Sequence, residues 1–256
     1  MKKMVSLQKI LMQSHLHFDC LDSTSACLKR LIEASLDPMP EDFYTITADK
    51  QENGRGRQHK IWESEGGKNL LMSVLLRTPC APQQQFHICR YVSLSLVAFL
   101  TEQLNMENAY IKWPNDIYVE DKKIAGILIE HFLQGNTINY SIAGIGLNVN
   151  QTVFPKNLPN PTSILLETNK ETAPLFCMEE IVKNMKKLSA SPSDLLKRKY
   201  EQFLYKKDKY ASFLIPQKSD YPIVAKIKGV TEKGLLYLLD ENDSPYCCSL
   251  NEITYL

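Results

Sequence analysis

The first apolar pattern along the chain is a short helix. Apolar residues recur with helical spacing from Ala26 to Ala34, and three hydroxyl residues, Ser23, Thr24 and Ser25, stand immediately before this segment. Small hydroxyl side chains cap helix N-termini because their oxygens accept hydrogen bonds from the unpaired backbone N–H groups. The pattern therefore predicts a helix whose first turn carries a cluster of hydroxyls.

Two strand-like segments follow, separated by a long polar loop. Phe43 to Ala48 alternates as a strand does, and Asn69 to Leu76 is an apolar run of strand length. The stretch between them, Asp49 to Lys68, is polar and contains several glycines. Because an irregular loop of about twenty residues is uncommon in a compact domain, we expect this one to belong to a binding site or a lid.

The middle of the chain predicts one long helix and then a group of strands. Gln84 to Leu104 is predicted as a largely buried helix with an apolar face that contains Phe86, Cys89, Val92, Leu96 and Phe99. Four strands follow in quick succession, at Tyr110 to Trp113, Ile117 to Val119, Ile124 to Leu133 and Ile138 to Val149. Turn residues at Asp121-Lys122 and Gly135-Asn136 separate the last three strands, which predicts a meandering antiparallel or mixed sheet.

Helices and then short strands complete the predicted organisation. Asn150 to Ser163 is rich in proline and asparagine and is predicted as a loop, and helices are predicted at Met178 to Leu188 and Ser193 to Tyr205. Short β segments then dominate, at Ile223 to Val230, Gly234 to Leu239 and Cys247 to Leu250. We therefore predict an α+β fold with a central mixed or antiparallel sheet flanked by helices in residues 1–209, and a small SH3-like β-barrel domain in residues 210–256.

Composition and charge exclude several classes of function. The chain has 256 residues, of which 44% are hydrophobic, enough for a full core. Thirty basic residues nearly balance twenty-nine acidic ones, so no overall field would attract nucleic acid or an anionic membrane. The longest apolar run, Val92 to Leu100, is far shorter than the ~20 residues that cross a bilayer, and polar residues interrupt the N-terminal stretch where a signal peptide would be apolar. We expect a cytoplasmic protein with no DNA or membrane partner.

Cysteines and histidines do not predict a metal centre. Seven cysteines without a CxxC pair are typical of free thiols in a reducing compartment. His15-Leu16-His17, with Cys20 nearby, contains metal-ligating residue types, but two histidines on one strand face are more often ordinary structural groups. The adjacent Cys247 and Cys248 are interpreted as alternating buried and exposed strand positions.

The first segment with candidate chemistry is the loop Gln51-Glu52-Asn53-Gly54-Arg55-Gly56-Arg57. Glycines let the backbone approach a ligand closely, and each guanidinium offers a planar pair of donors that matches phosphate oxygens. Taken alone, the loop could also be an RGG-type nucleic-acid segment. It lacks the third glycine and the following helix of a dinucleotide-binding fingerprint. The balanced charge and two further motifs, Lys112-Trp113-Pro114-Asn115-Asp116 and Lys123-Ile124-Ala125-Gly126, favour adenylate binding.

Together with Gly144-Ile145-Gly146-Leu147-Asn148, these motifs resemble the catalytic domain of biotin–protein ligases in order and spacing over nearly the whole chain. The resemblance implies a class II synthetase-like fold and a two-step reaction. The biotin carboxylate attacks the α-phosphate of ATP to give biotinyl-adenylate and pyrophosphate. A lysine of a biotin carboxyl-carrier domain, in acetyl-CoA carboxylase or a related carboxylase, then takes the biotinyl group. Magnesium is implied by the nucleotide, and its ligands are left unassigned.

The resemblance also implies the roles of individual residues. The biotin-binding positions are Ser23, Thr24, Ser25, Gln51, Gly54, Arg55, Gly56, Arg57, Lys123 and Gly126, with Ser23, Thr24 and Gln51 at the head group. The adenylate-binding positions are Arg55, Arg57, Trp62, Lys112, Asn115, Asp116 and Asn148. Arg57 and Lys123 are predicted to be the two catalytic cations, since both match positions beside the biotin carboxylate and the α-phosphate, where charge develops.

The sequence departs from the family in the glycine loop, where Gln58-His59 stands in place of a further glycine, and at Ser25, where asparagine is common. About twenty residues precede Ser23, so we expect a ligase without the helix-turn-helix domain of bifunctional repressors. Three other functions remain open: a lipoate–protein ligase, a biotin-sensing repressor and an inactive biotin-binding module. Members of the family often pair edge to edge through the central sheet, and a free edge strand would allow a homodimer here.

Overall fold

A seven-stranded mixed sheet forms the centre of the protein. The computed structural model describes residues 14–34, 39–54, 56 and 61–256. The strands of this sheet are β1 (His15–Leu21), β2 (Thr45–Gln51), β3 (Leu70–Leu76), β4 (Ala109–Lys112), β5 (Asp116–Val119), β6 (Lys122–Gln134) and β7 (Thr137–Leu147). They lie in the order β1-β2-β3-β7-β6-β5-β4; β1 and β2 are parallel, and the other neighbours are antiparallel. The predicted mixed sheet is confirmed.

Five α-helices accompany the sheet in the described ranges: α1 (Thr24–Ala34), α2 (Phe86–Ala98), α3 (Ile164–Thr168), α4 (Pro174–Ser189) and α5 (Ser193–Gln202). The segment predicted as one helix from Gln84 to Leu104 is divided into a 3-10 turn (Pro82–Gln84), α2 and a π-helical segment (Phe99–Gln103). Almost every residue of α2 is buried, so this helix is covered on nearly all sides and not on one apolar face only.

The helices cover both faces of the sheet. The side chains of Met72 and Val74 on β3 join the larger buried cluster with α2, α4 and α5, whereas Leu75 joins a smaller cluster with Leu28 of α1 and Ile46 of β2. This division follows from the alternation of side chains along a strand. The apolar run from Asn69 to Leu76 is continuous because both faces of β3 are buried.

A second sheet lies in the C-terminal part of the chain. It consists of β8 (Tyr210–Leu214), β9 (Ile223–Val230), β10 (Leu236–Asp240), β11 (Pro245–Cys248) and β12 (Thr254–Tyr255), all antiparallel, in the order β11-β10-β9-β8-β12. Among the described residues no pairing joins β11 to β12, so the element is an antiparallel sheet and not a closed barrel. Cys248 is buried and Cys247 exposed, which confirms the predicted alternation.

The two sheets share one continuous core. Residues of both belong to the larger buried cluster, and the indole Nε1 of Trp113 donates a hydrogen bond to the carbonyl oxygen of Gly234 at 3.0 Å. Gly234 has φ +84°, and a Cβ on it would lie 2.5 Å from the ring of Phe86, so only glycine fits this turn.

The predicted domain boundary at residue 210 coincides with the start of β8, but independent folding of the two parts stays a prediction. Within the described ranges, no helix has the length and apolar character to cross a membrane.

A buried arginine makes a polar contact at the same junction. The side chain of Arg90 on α2 is only 1% exposed; its Nη1 donates to Glu232 Oε2 at 2.9 Å and its Nη2 donates to the carbonyl oxygen of Thr231 at 3.2 Å. Lys197 of α5 contacts the other oxygen of the same carboxylate at 3.1 Å. These hydrogen bonds, led by that from Arg90, hold the pKa of Glu232 below its ordinary value.

We predict that Glu232→Gln lowers thermal stability in a pH-dependent way. Since the pKa of Glu232 is lower in the folded than in the unfolded protein, its carboxylate stabilises the native state above the ordinary carboxyl pKa and loses this contribution as pH falls through the lowered value. The variant should therefore have a lower Tm than wild type at pH 7, and the difference should shrink toward about pH 3. Thermal unfolding followed by circular dichroism measures this; Glu241→Gln, at an exposed position in the turn after β10, is the control. An equal difference in Tm at both pH values would contradict the assignment.

Candidate active site

Most of the predicted site residues line one cleft of about 590 Å³. Its walls come from the turn before α1, the paired strands β5, β6 and β7, the loop after β7 and the segment that leads into β12. The predicted residues that it brings together are Ser23, Thr24, Ser25, Gln51, Gly56, Trp62, Lys112, Asp116, Lys123, Gly126 and Asn148. Positions that are distant in the sequence are thus collected around one cavity.

The other predicted positions lie elsewhere or outside the described residues. Asn115 is buried, with 1% of its surface exposed, and does not line the cleft. Gly54 is buried, and its carbonyl oxygen accepts a hydrogen bond from the backbone N–H of Trp62 at 3.0 Å. Arg55 and Arg57 lie outside the described residues, as does the Gln58-His59 segment, so their assignments remain sequence-based.

One end of the cleft is closed by buried hydroxyl groups. The oxygen Oε1 of Gln51 accepts from the backbone N–H of Thr24 at 2.8 Å and from the hydroxyl of Thr24 at 3.1 Å. The Oγ of Ser73 lies 2.8 Å from Thr24 Oγ1 and 2.9 Å from Ser25 Oγ. Because Thr24 uses its proton on Gln51, Ser73 donates to Thr24 and Ser25 donates to Ser73. The result is a directed chain of hydrogen bonds that fixes these side chains.

Ser73, which does not line the cleft but bonds Thr24 and Ser25 behind it, is a supporting residue that the sequence analysis missed. It is completely buried in β3, among apolar neighbours. The available signal was a single hydroxyl in an otherwise apolar strand, which must find a hydrogen-bond partner when it is buried. Which partner it finds depends on the parallel and antiparallel pairings that place β3 beside α1, and no local pattern contains that information.

Paired glycines form the floor of the cleft. Gly126 of β6 and Gly146 of β7 are opposite each other in the antiparallel register, and the indole of Trp62 lies directly on them. A Cβ would lie 2.3 Å from Trp62 Cε2 at Gly146 and 2.9 Å from Trp62 Cζ3 at Gly126. A Cβ on Gly144 would lie 2.7 Å from Ser25 Oγ. These close approaches explain why the segments contain glycine: any side chain would fill the space used by Trp62 and Ser25.

Between the hydroxyl end and the opposite end, the cleft is apolar. Met72 of β3, Ile127 and Leu128 of β6 and Ile145 of β7 line this part, together with Phe154 of the loop after β7. Apolar walls favour an aliphatic or ring-shaped ligand because its burial removes apolar surface from water. A few fixed polar groups at the ends then determine which ligand is bound.

Lysine and aspartate side chains lie at the opposite end. Lys123 Nζ is 2.6 Å from Asp116 Oδ2, and both side chains are about one-third exposed, at 30% and 33%. The Lys123 ammonium is also 5.8 Å from the ring of Trp62. Burial lowers the pKa of Lys112, an effect opposed by the nearby Asp116 carboxylate. This end of the cleft can therefore neutralise an anionic ligand.

Hydrogen bonds from two helices hold the turn between β4 and β5 in place. The carbonyl oxygen of Pro114, which follows a cis peptide bond, accepts hydrogen bonds from the Tyr200 hydroxyl at 2.5 Å and from Cys89 Sγ at 3.2 Å. Tyr200 lies on α5 and Cys89 on α2. Both helices and the second sheet contact this turn. The turn therefore holds Lys112 and Asp116 in fixed positions.

The loop after β7 is attached to the cleft by backbone contacts. The backbone N–H of Lys123 donates to the carbonyl oxygen of Asn160 at 2.8 Å, and the Nδ2 of Asn148 donates to the carbonyl oxygen of Thr162 at 2.8 Å. Asn148 is therefore held at the cleft wall by the loop that follows it. Its side chain supports this loop as well as lining the cavity.

Two other features of the described residues are less suited to be the site. A more open depression of about 890 Å³ is lined by residues 103–108, 119–120, 167–168, 170–173 and 176; it contains four glutamates and a single lysine, which would repel an anionic substrate. His17, Asp19 and Asp49 have potential ligand atoms within 4.8 Å of one another. They are exposed, and His15 and His17 bond the hydroxyl of Thr47, so we assign no metal to them.

Comparisons with known proteins identify the family of this chain. The model of the biotin/lipoate A/B protein ligase family matches residues 18–148. The bifunctional ligase/repressor BirA of Bacillus subtilis is 33% identical over 152 residues, which are 59% of this chain and 45% of that protein. Human biotin–protein ligase is 31% identical over 153 residues, 56% of this chain and 20% of that protein. The chain thus spans half or less of the length of these relatives.

A solved structure covers nearly the whole chain. The biotin protein ligase of Aquifex aeolicus, in complex with biotin and ATP, has a TM-score of 0.71 and 26% identity over 94% of this chain and 98% of that one. The fold is therefore that of the biotin ligases. Since the family model also matches more than half of the residues, the chain belongs to the biotin/lipoate A/B protein ligase family.

Proposed function

We propose that the protein is an ATP-dependent biotin–protein ligase. It activates biotin to biotinyl-5'-AMP with release of pyrophosphate and then transfers the biotinyl group to a lysine of a carrier protein. The observation that carries this proposal is the hydroxyl chain of Thr24, Ser73 and Ser25, bonded to Gln51 at the closed end of an apolar slot. The similar Aquifex protein was solved with biotin and ATP.

This polar end favours biotin over lipoate. The ureido ring of biotin offers two N–H donors and a carbonyl acceptor, which match hydroxyl and amide groups at the end of the slot. The dithiolane of lipoate offers only weak acceptors, so lipoate would not use the donor and acceptor capacity that these groups keep beside their internal hydrogen bonds. Unpaired buried polar groups penalise the wrong ligand strongly. The same argument explains why Thr24 and Gln51 need a fixed geometry.

Activation of biotin takes place at the lysine end. The biotin carboxylate and the α-phosphate are both anions, so their approach requires positive charge. Lys123 supplies such a charge and, together with Arg57, orients the two reactants and stabilises the charge that develops between them. Asp116 forms an ion pair with Lys123 at 2.6 Å. We infer that the incoming carboxylate and phosphate take over part of this interaction.

The nucleotide is held by residues on both sides of the lysine end. We assign the adenine side to Trp62 and Asn148 and the phosphate side to Arg55, Arg57, Lys112 and Asp116. Asn115, which is buried, supports the turn between β4 and β5. Gly54 and Gly126 leave the space that Trp62 fills, and we propose that Gly56 lets the ligand approach the backbone closely.

Magnesium accompanies the nucleotide in this proposal. The described lining contains two carboxylates, Glu63 and Asp116, and Asp116 is already paired with Lys123. Such a site fits a metal held mainly by phosphate oxygens, as is usual for Mg²⁺ with nucleotides. The bound ion would neutralise the pyrophosphate leaving group.

The second step requires a carrier protein. Its lysine amine attacks the acyl carbon of biotinyl-5'-AMP, the bond between the acyl carbon and the phosphate oxygen breaks, and AMP leaves. A biotin carboxyl-carrier domain of a carboxylase is the proposed acceptor. Strand β1 (His15–Leu21), an outer strand of the sheet, is the proposed edge for a homodimer, and the cytoplasm is the proposed location.

The first test measures adenylate formation without a carrier. We expect biotinyl-AMP from biotin, Mg²⁺ and α-labelled ATP, no adenylate from lipoate, and a loss of about 10²- to 10³-fold in rate for Lys123→Ala and for Arg57→Ala, because each removes a charge beside the reacting phosphate. Chromatography of the labelled products gives the rates.

Lys122→Ala is a matched control for Lys123→Ala. Lys122→Ala also loses one ion pair of 2.6 Å, with Glu167. An effect caused only by the loss of a surface charge would therefore lower the rate of both variants. Adenylate from lipoate would assign the protein to the sister ligases, and no adenylate from either acid would leave a binding module.

The glycine floor gives a second test. Gly146→Ala should displace the indole of Trp62, because the new Cβ would lie 2.3 Å from Trp62 Cε2. We expect a fall in kcat/KM for adenylation of about tenfold to a hundredfold and a changed tryptophan emission spectrum. Gly66→Ala is the control, since its nearest contact would be an ordinary 3.8 Å to Lys50 Cβ. Equal activity of both variants would show that Trp62 does not need the glycine.

A further inference from the structure

We propose that Tyr255 is a positioning residue for the adenylation step, because with Tyr118 and Tyr205 it forms a cage of three rings around the ammonium group of Lys112. We call these three residues the tyrosine cage. The proposal rests on the ligase activity proposed above and adds to it a contribution from the second sheet.

The geometry places the Lys112 ammonium among the rings. Its Nζ lies 4.9 Å from the ring centroid of Tyr118, 5.0 Å from that of Tyr255 and 5.9 Å from that of Tyr205. The same atom donates a hydrogen bond to the Tyr118 hydroxyl at 3.4 Å. Cations within ~6 Å of an aromatic centroid are attracted by the electron-rich face of the ring.

The tyrosine cage is held rigidly from two sides. The rings of Tyr118 and Tyr205 lie 5.4 Å apart and are tilted by 34°. The ring of Tyr255 packs edge to face on Phe213 at 5.1 Å, and these two residues are also partners in the β8–β12 pairing. Tyr255 therefore cannot move without disturbing the second sheet.

Lys112 and two members of the tyrosine cage open into the candidate active site. Lys112, Tyr118 and Tyr255 line the cleft, and Lys112 is directly opposite Asp116 in the β4–β5 register. The ammonium thus lies at the end of the cleft where the phosphate is proposed to bind. A flexible lysine that is held in one position contributes charge there without the entropic cost of ordering it at each turnover.

The Tyr255 hydroxyl does not account for this arrangement. It is buried, and it has no hydrogen-bond partner within the part of the chain that the structure describes. Because the oxygen bonds none of the described residues, we infer that the ring and not the hydroxyl is the part of Tyr255 that holds Lys112. This distinction makes phenylalanine the conservative replacement.

Several charges face the caged ammonium. Burial lowers the pKa of Lys112; the carboxylates of Asp116 and Asp121 raise it, and the ammonium groups of Lys206 and Lys123 lower it. The hydroxyls of the tyrosine cage stay protonated, since burial raises the pKa of all three tyrosines. Removal of one ring would change this balance, because it removes an attraction that favours the charged form and also changes the burial of the ammonium, so the pKa of Lys112 should shift.

The test compares Tyr255→Leu, Tyr255→Phe and Tyr221→Leu in the adenylation assay. Tyr221 is 79% exposed and serves as the control. We expect Tyr255→Leu to lower kcat/KM for ATP by about threefold to thirtyfold and to shift the alkaline limb of the pH–rate profile. Tyr255→Phe should restore most of the loss. Combining Tyr255→Leu with Lys112→Met should cost no more than Lys112→Met alone.

A second readout follows Lys112 directly. NMR of reductively ¹³C-methylated lysines, with Lys112 assigned through Lys112→Arg, should show a different pKa for Lys112 in Tyr255→Leu than in wild type. A folded Tyr255→Leu with an unchanged pH profile and an unchanged Lys112 titration would overturn the proposal. If Tyr255→Leu does not fold, Tyr205→Leu is used with the same criteria. If the wild type forms no adenylate, the proposed function fails, while the NMR titration still tests the cage.

Discussion

The register between β6 and β7 is the constraint on which the rest of the site depends. It places Gly126 opposite Gly146, and only this pairing leaves a flat floor on which the indole of Trp62 can lie. A shift of one residue would turn side chains of both strands to the other face, filling the cleft and exposing the core. The large cluster of apolar residues from β3, α2 and α4 prevents such a shift. The packing of this cluster therefore determines both the stability of the core and the shape of the slot.

Charge is distributed along this slot in a way that matches the proposed chemistry. The hydroxyl end is neutral and bonded internally, whereas the opposite end holds Lys123 with Asp116 and, further along, Lys112. Because these groups are only partly exposed, their field is weakened less by water than that of surface charges. The protein can be almost neutral overall, with a formal charge of +1, and still present positive charge where two anions must meet.

Local patterns predicted much of this arrangement. The helix after the hydroxyl residues, the run at β3 and the strands around Lys123 follow from short-range spacing, and the motifs gave the candidate residues. Strand β1 was not assigned, although Leu16 and Phe18 alternate there with His15, His17 and Asp19 and pack against the smaller buried cluster. Ser73 comes to lie behind the cleft, and Tyr255 comes to line it, only through strand pairings between distant segments, which periodicity does not encode. The place of Arg57 remains a prediction.

The bond between Trp113 and Gly234 joins residues 121 positions apart, and it changes how variation in this protein should be interpreted. The turn that contains Gly234 is short and lies in the second sheet, so a comparison of sequences would treat it as a peripheral connection. It nevertheless supports the turn that presents Lys112 and Asp116. A map of tolerated substitutions would therefore show that positions in this hairpin tolerate little change. Natural variants at these positions would lose activity, as variants of catalytic residues do.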